Sequence, residues 1–156
     1  MDKSMNLKEG FFMINLKKFT EWFNQHDRFS AKSGIRLVEL GEGYSKVELD
    51  LDESGKNYFG SMHGGLLFAM ADTAAGTATV FLGRQAVTLS GNAEYIKPAL
   101  SGKVIAEGRV IAHGKTIVRC EVEVRNEAGA LYCKCHFTMF LTDKTIEIPP
   151  ELAEDN

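Results

Sequence analysis

The sequence predicts an α+β fold in which a curved antiparallel sheet wraps around one long buried helix. Three observations support this. From Gly65 to Gly83 runs a stretch rich in Ala, Leu, Thr and Gly with a single charge, Asp72, at its middle. It is apolar around nearly its whole circumference, so one flat contact would leave apolar surface in water. After Ala86, apolar and polar residues alternate in four runs separated by short connections, the period of half-buried strands. The resulting order is helix, two strands, long helix, four strands, which a curved sheet enclosing the central helix satisfies.

Taken in order, residues up to about Ser30 hold one amphipathic helix, with Ile14, Phe19, Trp22 and Phe23 near one face. Val47, Leu49 and Leu51 alternate with charged residues and form a hairpin with Ile35–Leu40 across Gly41-Glu42-Gly43. A third strand runs from Ala86 to Lys97 and stops at Pro98. In the fourth, Lys103 to His113, the residues Val104, Ala106, Gly108, Val110 and Ala112 share a face. The fifth sets Val118, Cys120, Val122 and Val124 against Arg119, Glu121, Glu123 and Arg125. A turn from Asn126 to Gly129 leads into the last strand, with Leu131, Cys133, Cys135, Phe137, Met139 and Leu141 inward. The expectation is one domain over residues 1–156: an N-terminal helix region at 1–30, a core at about 34–142, and a frayed tail at 143–156.

Composition narrows the function. The chain has 156 residues, 44% hydrophobic and 25% charged, with 18 Lys and Arg against 21 Asp and Glu, a net charge of −3. That balance argues against a nucleic-acid binder, which shows a basic face. Three cysteines, an odd number, argue against a disulfide framework and for a reducing, cytoplasmic setting. Asn15 and Lys17-Lys18 interrupt the apolar residues Phe11 to Leu16, so no secretory signal is expected. Asp72 sits where a carboxylate would be costliest in lipid, so the long helix is read as a core helix and no membrane partner is expected.

The chemistry concentrates between Asn57 and Gly76. His63-Gly64-Gly65 stands where a loop becomes the long helix. A helix start leaves N–H groups without intrahelical partners at the positive end of the dipole, where they can meet a developing oxyanion. Asp72 lies nine residues after His63, about two and a half turns into the helix. An isolated carboxylate is costly in an apolar helix, and Asp is a poor interior helix former. Its presence among Ala, Met and Leu marks it as functional, or as paired with a donor elsewhere.

The spacing Asn57-x5-His63-Gly64-Gly65, with Asp72 eight residues after the first Gly, resembles the hotdog-fold acyl-CoA thioesterases, within them the phenylacetic-acid-degradation-type group. The resemblance spans roughly Gly34 to Thr142, including Tyr95-Ile96-Lys97-Pro98-Ala99 and His113-Gly114-Lys115-Thr116. It implies hydrolysis of an acyl-CoA to free CoA and a carboxylic acid, with no cofactor and no metal. It also implies a homodimer, or a tetramer of two such dimers, with active sites at the dimer interface. In that reading Asp72 is general base or nucleophile, and the Gly64 N–H polarises the thioester carbonyl. His63 and Asn57 order the loop and water, and Thr88 on the third strand comes from the neighbouring subunit. Ser90, two residues on and so on the same face, is the second choice.

Plainer readings stand beside these. His63 caps the helix; Asn57 is a loop residue; Lys115 either contacts CoA phosphates or is a solvated hairpin residue. Gly65 lets substrate approach the backbone or serves a turn. Tyr58 and Phe59 line an acyl pocket or pack the loop, and Phe68, Phe81 and the N-terminal helix shape that pocket. Cys133 and Cys135 face inward and His136 outward, the wrong geometry for a metal site on a strand. The competing functions are an acyl-CoA-binding module without turnover and a hotdog dehydratase using a His paired with an acid.

Overall fold

The computed structural model describes residues 14–153. Phe11, Phe12 and Met13, weighed above as part of a signal, lie outside the described residues. Helix α1 spans Leu16–His26 and α2 spans Arg28–Ser33. The single N-terminal helix expected from the sequence is therefore two. Asp27 adopts an extended conformation, ends α1, and accepts the Ser30 N–H at 3.0 Å as the cap of α2.

Strands β1 (Arg36–Gly41) and β2 (Tyr44–Leu51) form the hairpin. After them come α3 (Gly64–Ala78), β3 (Arg84–Tyr95), β4 (Gly102–His113), β5 (Ile117–Asn126) and β6 (Leu131–Thr145). The six strands form one antiparallel sheet in the order β1-β2-β4-β5-β6-β3, so β3 is an edge. The 143–156 tail is not frayed over its described part. β6 continues to Thr145, Leu152 is buried, and Ala153 bridges to Ile14.

The sheet meets α3 most closely where β2 and β4 pair. Ser45 and Gly108 are register partners, and the Ser45 hydroxyl donates to the Ala74 carbonyl at 2.6 Å. A Cβ at Gly108 would stand 2.5 Å from that same oxygen, so only glycine lets the helix lie this close. Leu67, Met70, Ala71, Ala74, Ala75, Thr77 and Ala78 are buried in this contact. The opposite face of the helix is only half-buried, with Phe68, Asp72, Thr73 and Gly76 on it. The sheet of this chain does not enclose the helix on every side.

Several strand pairs carry register shifts that the period of two does not show, and two of them move residues singled out above. Thr88 pairs with Met139 but Ser90 with Thr138, leaving Leu89 as the extra residue. Likewise Val110 pairs with Cys120 and Ala112 with Arg119, around Ile111. One inserted residue reverses the facing of everything beyond it. Ser90 thus shares a face with outward Thr138, not with Thr88, and Ala112 leaves the inward face of β4.

Candidate active site

The expected site residues fall into two groups. The first is built on the loop before α3. The Asn57 side chain accepts the N–H groups of Phe59 (3.0 Å) and Ser61 (3.2 Å), and its Nδ2 donates to the Ser61 hydroxyl at 3.2 Å. The loop so held turns through Gly60 at φ 86. His63 caps α3: its Nδ1 accepts the Gly65 N–H at 2.9 Å. The Gly65 N–H is thereby used within the chain. The Gly64 N–H, one position earlier, has no acceptor among the described residues and stands at the positive end of the helix.

Tyr95 completes this group, and the sequence does not single it out. Its hydroxyl donates to the Gly64 carbonyl at 2.7 Å, and its ring packs on Gly64. Burial, with smaller contributions from the Cys133 and Cys135 thiols, holds the phenol above its ordinary pKa, so it remains a donor. The signal was its place at the end of β3 before Pro98, but no periodicity shows where its hydroxyl reaches. Asn57, Gly64 and Tyr95 together line a recess of about 320 Å³.

The second group is Asp72 and Thr88. The Thr88 hydroxyl donates to Asp72 Oδ1 at 2.7 Å. This contact lies within one chain, whereas the resemblance expects the third-strand Thr to come from the neighbouring subunit. The partner donor that the lone helix carboxylate required is thus identified. The pair lies at one end of a separate cleft of about 440 Å³ under α1.

The remaining expected residues scatter. Tyr58 and Phe59 pack against each other with tilted rings, centroids 4.0 Å apart, yet are 91% and 76% exposed. Phe68 packs on Phe137 beside Gly91, where a Cβ would come within 2.6 Å of the Phe137 ring. Phe81 is buried beside Gly43, its ring edge toward His113, and lines neither the recess nor the cleft. Lys115 is exposed, and its carbonyl accepts Arg84 Nη1 at 2.8 Å. Cys133 and Cys135 have sulfurs 3.5 Å apart on the buried face, with His136 exposed on the other.

Gly64 and Asp72 are eight residues apart on one helix, a rise of about 12 Å. A general base and an oxyanion donor must each come within about 3 Å of the reacting water or oxygen. Within a single chain the two cannot serve one carbonyl.

Known proteins fit this architecture. The thioesterase superfamily domain matches residues 59–133. The proofreading thioesterase EntH of Klebsiella pneumoniae is 31% identical over 108 residues, 67% of this chain and 79% of EntH. The acyl-coenzyme A thioesterase PaaI of Escherichia coli is 29% identical over 89 residues, 54% of this chain and 64% of PaaI. Its solved structure aligns with a TM-score of 0.79 at 23% identity, covering 85% of this chain and 96% of that one. A Streptococcus mutans protein solved bound to acetyl CoA aligns at TM-score 0.68 and 30% identity, over 72% of this chain and 91% of its own. The six-stranded sheet curved on one helix is the hotdog fold. The chain belongs to the thioesterase superfamily, in its PaaI-like group, and is a thioester hydrolase.

Proposed function

We propose that the protein hydrolyses acyl-CoA thioesters in a site shared by two copies of the chain. One copy supplies Asp72 and Thr88; the other supplies the Gly64 N–H, with Asn57, His63 and Tyr95 holding it in place. The observation behind this is the split itself: a hydrogen-bonded Thr88–Asp72 pair and a free Gly64 N–H, about 12 Å apart in rise along one helix.

The edge strand provides a way to join them. β3 exposes Val87 (50%), Leu89 (58%) and Tyr95 (55%), and an open apolar edge is a template for pairing. Antiparallel pairing of β3 with its own copy about a two-fold axis near residues 91 and 92 sets Thr88 of one copy beside Tyr95 of the other. That brings the Asp72 end of one protomer to the Gly64 end of its partner. A dimer, or two such dimers, then holds two complete sites per pair.

The reaction follows from these groups. Thr88 fixes one carboxylate oxygen of Asp72, and the carboxylate takes a proton from water. The resulting hydroxide adds to the thioester carbon, and the carbonyl oxygen gains its negative charge against the Gly64 N–H. The tetrahedral intermediate collapses by breaking the C–S bond, and the departing thiolate takes up the proton. CoA as the thiol is supported by the PaaI relative, named for acyl-CoA, and by the Streptococcus mutans protein bound to acetyl CoA. Thiol release from acyl-CoAs, with hydration of crotonyl-CoA followed alongside, tests the reading. Thiol release without hydration is expected; hydration without thiol release would replace hydrolase by dehydratase.

A further inference from the structure

The cleft that ends at Asp72 and Thr88 runs on beneath α1, past residues that the chemistry above does not use. Phe19 and Phe23 of α1 contribute to its wall, and Gly76, Val80, Met139 and Ile146 add to the apolar part of the lining. Two charged residues also border it, each held by hydrogen bonds to the backbone. The Asp27 carboxylate accepts the Ser30 N–H, and the Arg84 guanidinium donates to the carbonyls of Thr142, Lys115 and Leu141. The Thr73, Thr77 and Thr79 hydroxyls that also line it donate to helix carbonyls, which leaves the aromatic and aliphatic side chains as the part of the wall free to meet an apolar group.

Gly76 is the second observation. It sits inside α3, where glycine costs about 1 kcal/mol relative to alanine. A Cβ there would meet nothing within 4 Å, unlike Gly108, where the Ala74 carbonyl forbids one. Packing within the chain does not call for glycine at this position. Its absent side chain leaves room in the cleft, one turn beyond Asp72.

We propose that this cleft takes the acyl group, that it suits apolar acyl groups larger than acetyl, and that α1 sets its length through Phe23, with Gly76 keeping its floor open. The proposal rests on the Asp72 assignment, since the cleft is an acyl site only if the carbonyl lies at Asp72. The specificity wall is thereby built from a helix outside the matched residues 59–133. A cleft of about 440 Å³ lies within the size range of small-molecule sites.

The test compares kcat/KM for acetyl-, octanoyl- and dodecanoyl-CoA in the wild type, Gly76→Leu and Phe23→Ala. Filling the floor with Gly76→Leu should lower the octanoyl-to-acetyl ratio by about tenfold or more, within what one apolar pocket contact discriminates. Phe23→Ala should raise the dodecanoyl-to-octanoyl ratio. Ratios unchanged in both variants would overturn the proposal, even if all rates fell together. If Gly76→Leu does not fold, the Phe23→Ala ratio decides alone. The base assignment is read separately, from Asp72→Asn on octanoyl-CoA, so its failure is distinguishable from failure of the acyl cleft.

Discussion

Replacing Asp72 with Asn removes the base while disturbing the fold little. The amide oxygen of Asn can still accept the Thr88 hydroxyl, which lies 2.7 Å from Asp72 Oδ1. Asp and Asn have similar helix propensities, and position 72 is only half-buried. The loss in stability is at most the difference between a charged and a neutral acceptor, about 1 kcal/mol. Turnover is another matter. General-base assistance contributes about 10²–10⁴-fold, or about 3–5 kcal/mol of barrier, and kcat should fall on that scale. The assay is thiol release at saturating acyl-CoA, with circular dichroism to verify folding and calorimetric binding of a non-hydrolysable thioester analogue. Binding should change much less than kcat, because the carboxylate acts on water. A folded Asp72→Asn protein with kcat within threefold of wild type would refute the assignment. A variant that no longer folds would make Asp72 a structural carboxylate instead.

Three further outcomes are expected. Thr88→Val keeps the side-chain shape but removes the hydroxyl that orients Asp72, and should lower kcat about tenfold with a small change in KM, read in the same assay. Gly108→Ala forces a Cβ to within 2.5 Å of the Ala74 carbonyl oxygen, and should lower stability by about 1–3 kcal/mol or more in denaturant melts. Burial pushes the Cys120 thiol up to about 12 from an ordinary 9.0. Unfolded Cys120 therefore ionises first, so its contribution is intact below about pH 9 and lost as pH rises toward 12. Thermal melts across that window should show a shallower decline in Cys120→Ala than in the wild type.

The sheet and the central helix were legible because both rest on periodicity. Val118 to Val124 and Cys133 to Leu141 alternate inward as the pattern requires, whereas at the start of β6 a register shift buries Tyr132 and leaves Leu131, expected inward, only half-buried. The bulges at Leu89 and Ile111 were not, because an inserted residue leaves no mark in composition yet reverses Ser90 and Ala112. The break between α1 and α2 was also hidden: Asp27 reads as one more polar residue on a helical face, though it caps the second helix. At the site, Asp72, His63 and Gly64 stood out by spacing and residue type. Their separation was calculable from helix rise, but which Thr or Tyr meets which helix residue depends on strand register. Thr88 on Asp72 and Tyr95 on Gly64 are contacts between residues 16 and 31 positions apart, and only the folded chain displays them.

The shared site is tested most directly by mixing two inactive variants. Asp72→Asn lacks the base. A double variant Asn57→Ala/His63→Ala loosens the loop and cap that present the Gly64 N–H. After unfolding and refolding together in equal amounts, about half of the two-fold dimers contain one chain of each kind. In such a dimer both lesions fall in one site, and the other site is wild type. The mixture should therefore recover about one quarter of wild-type activity, while each variant refolded alone stays near zero. If each site lay within a single chain, every site in the mixture would carry a lesion. Activity no higher than the average of the two variants would contradict the account.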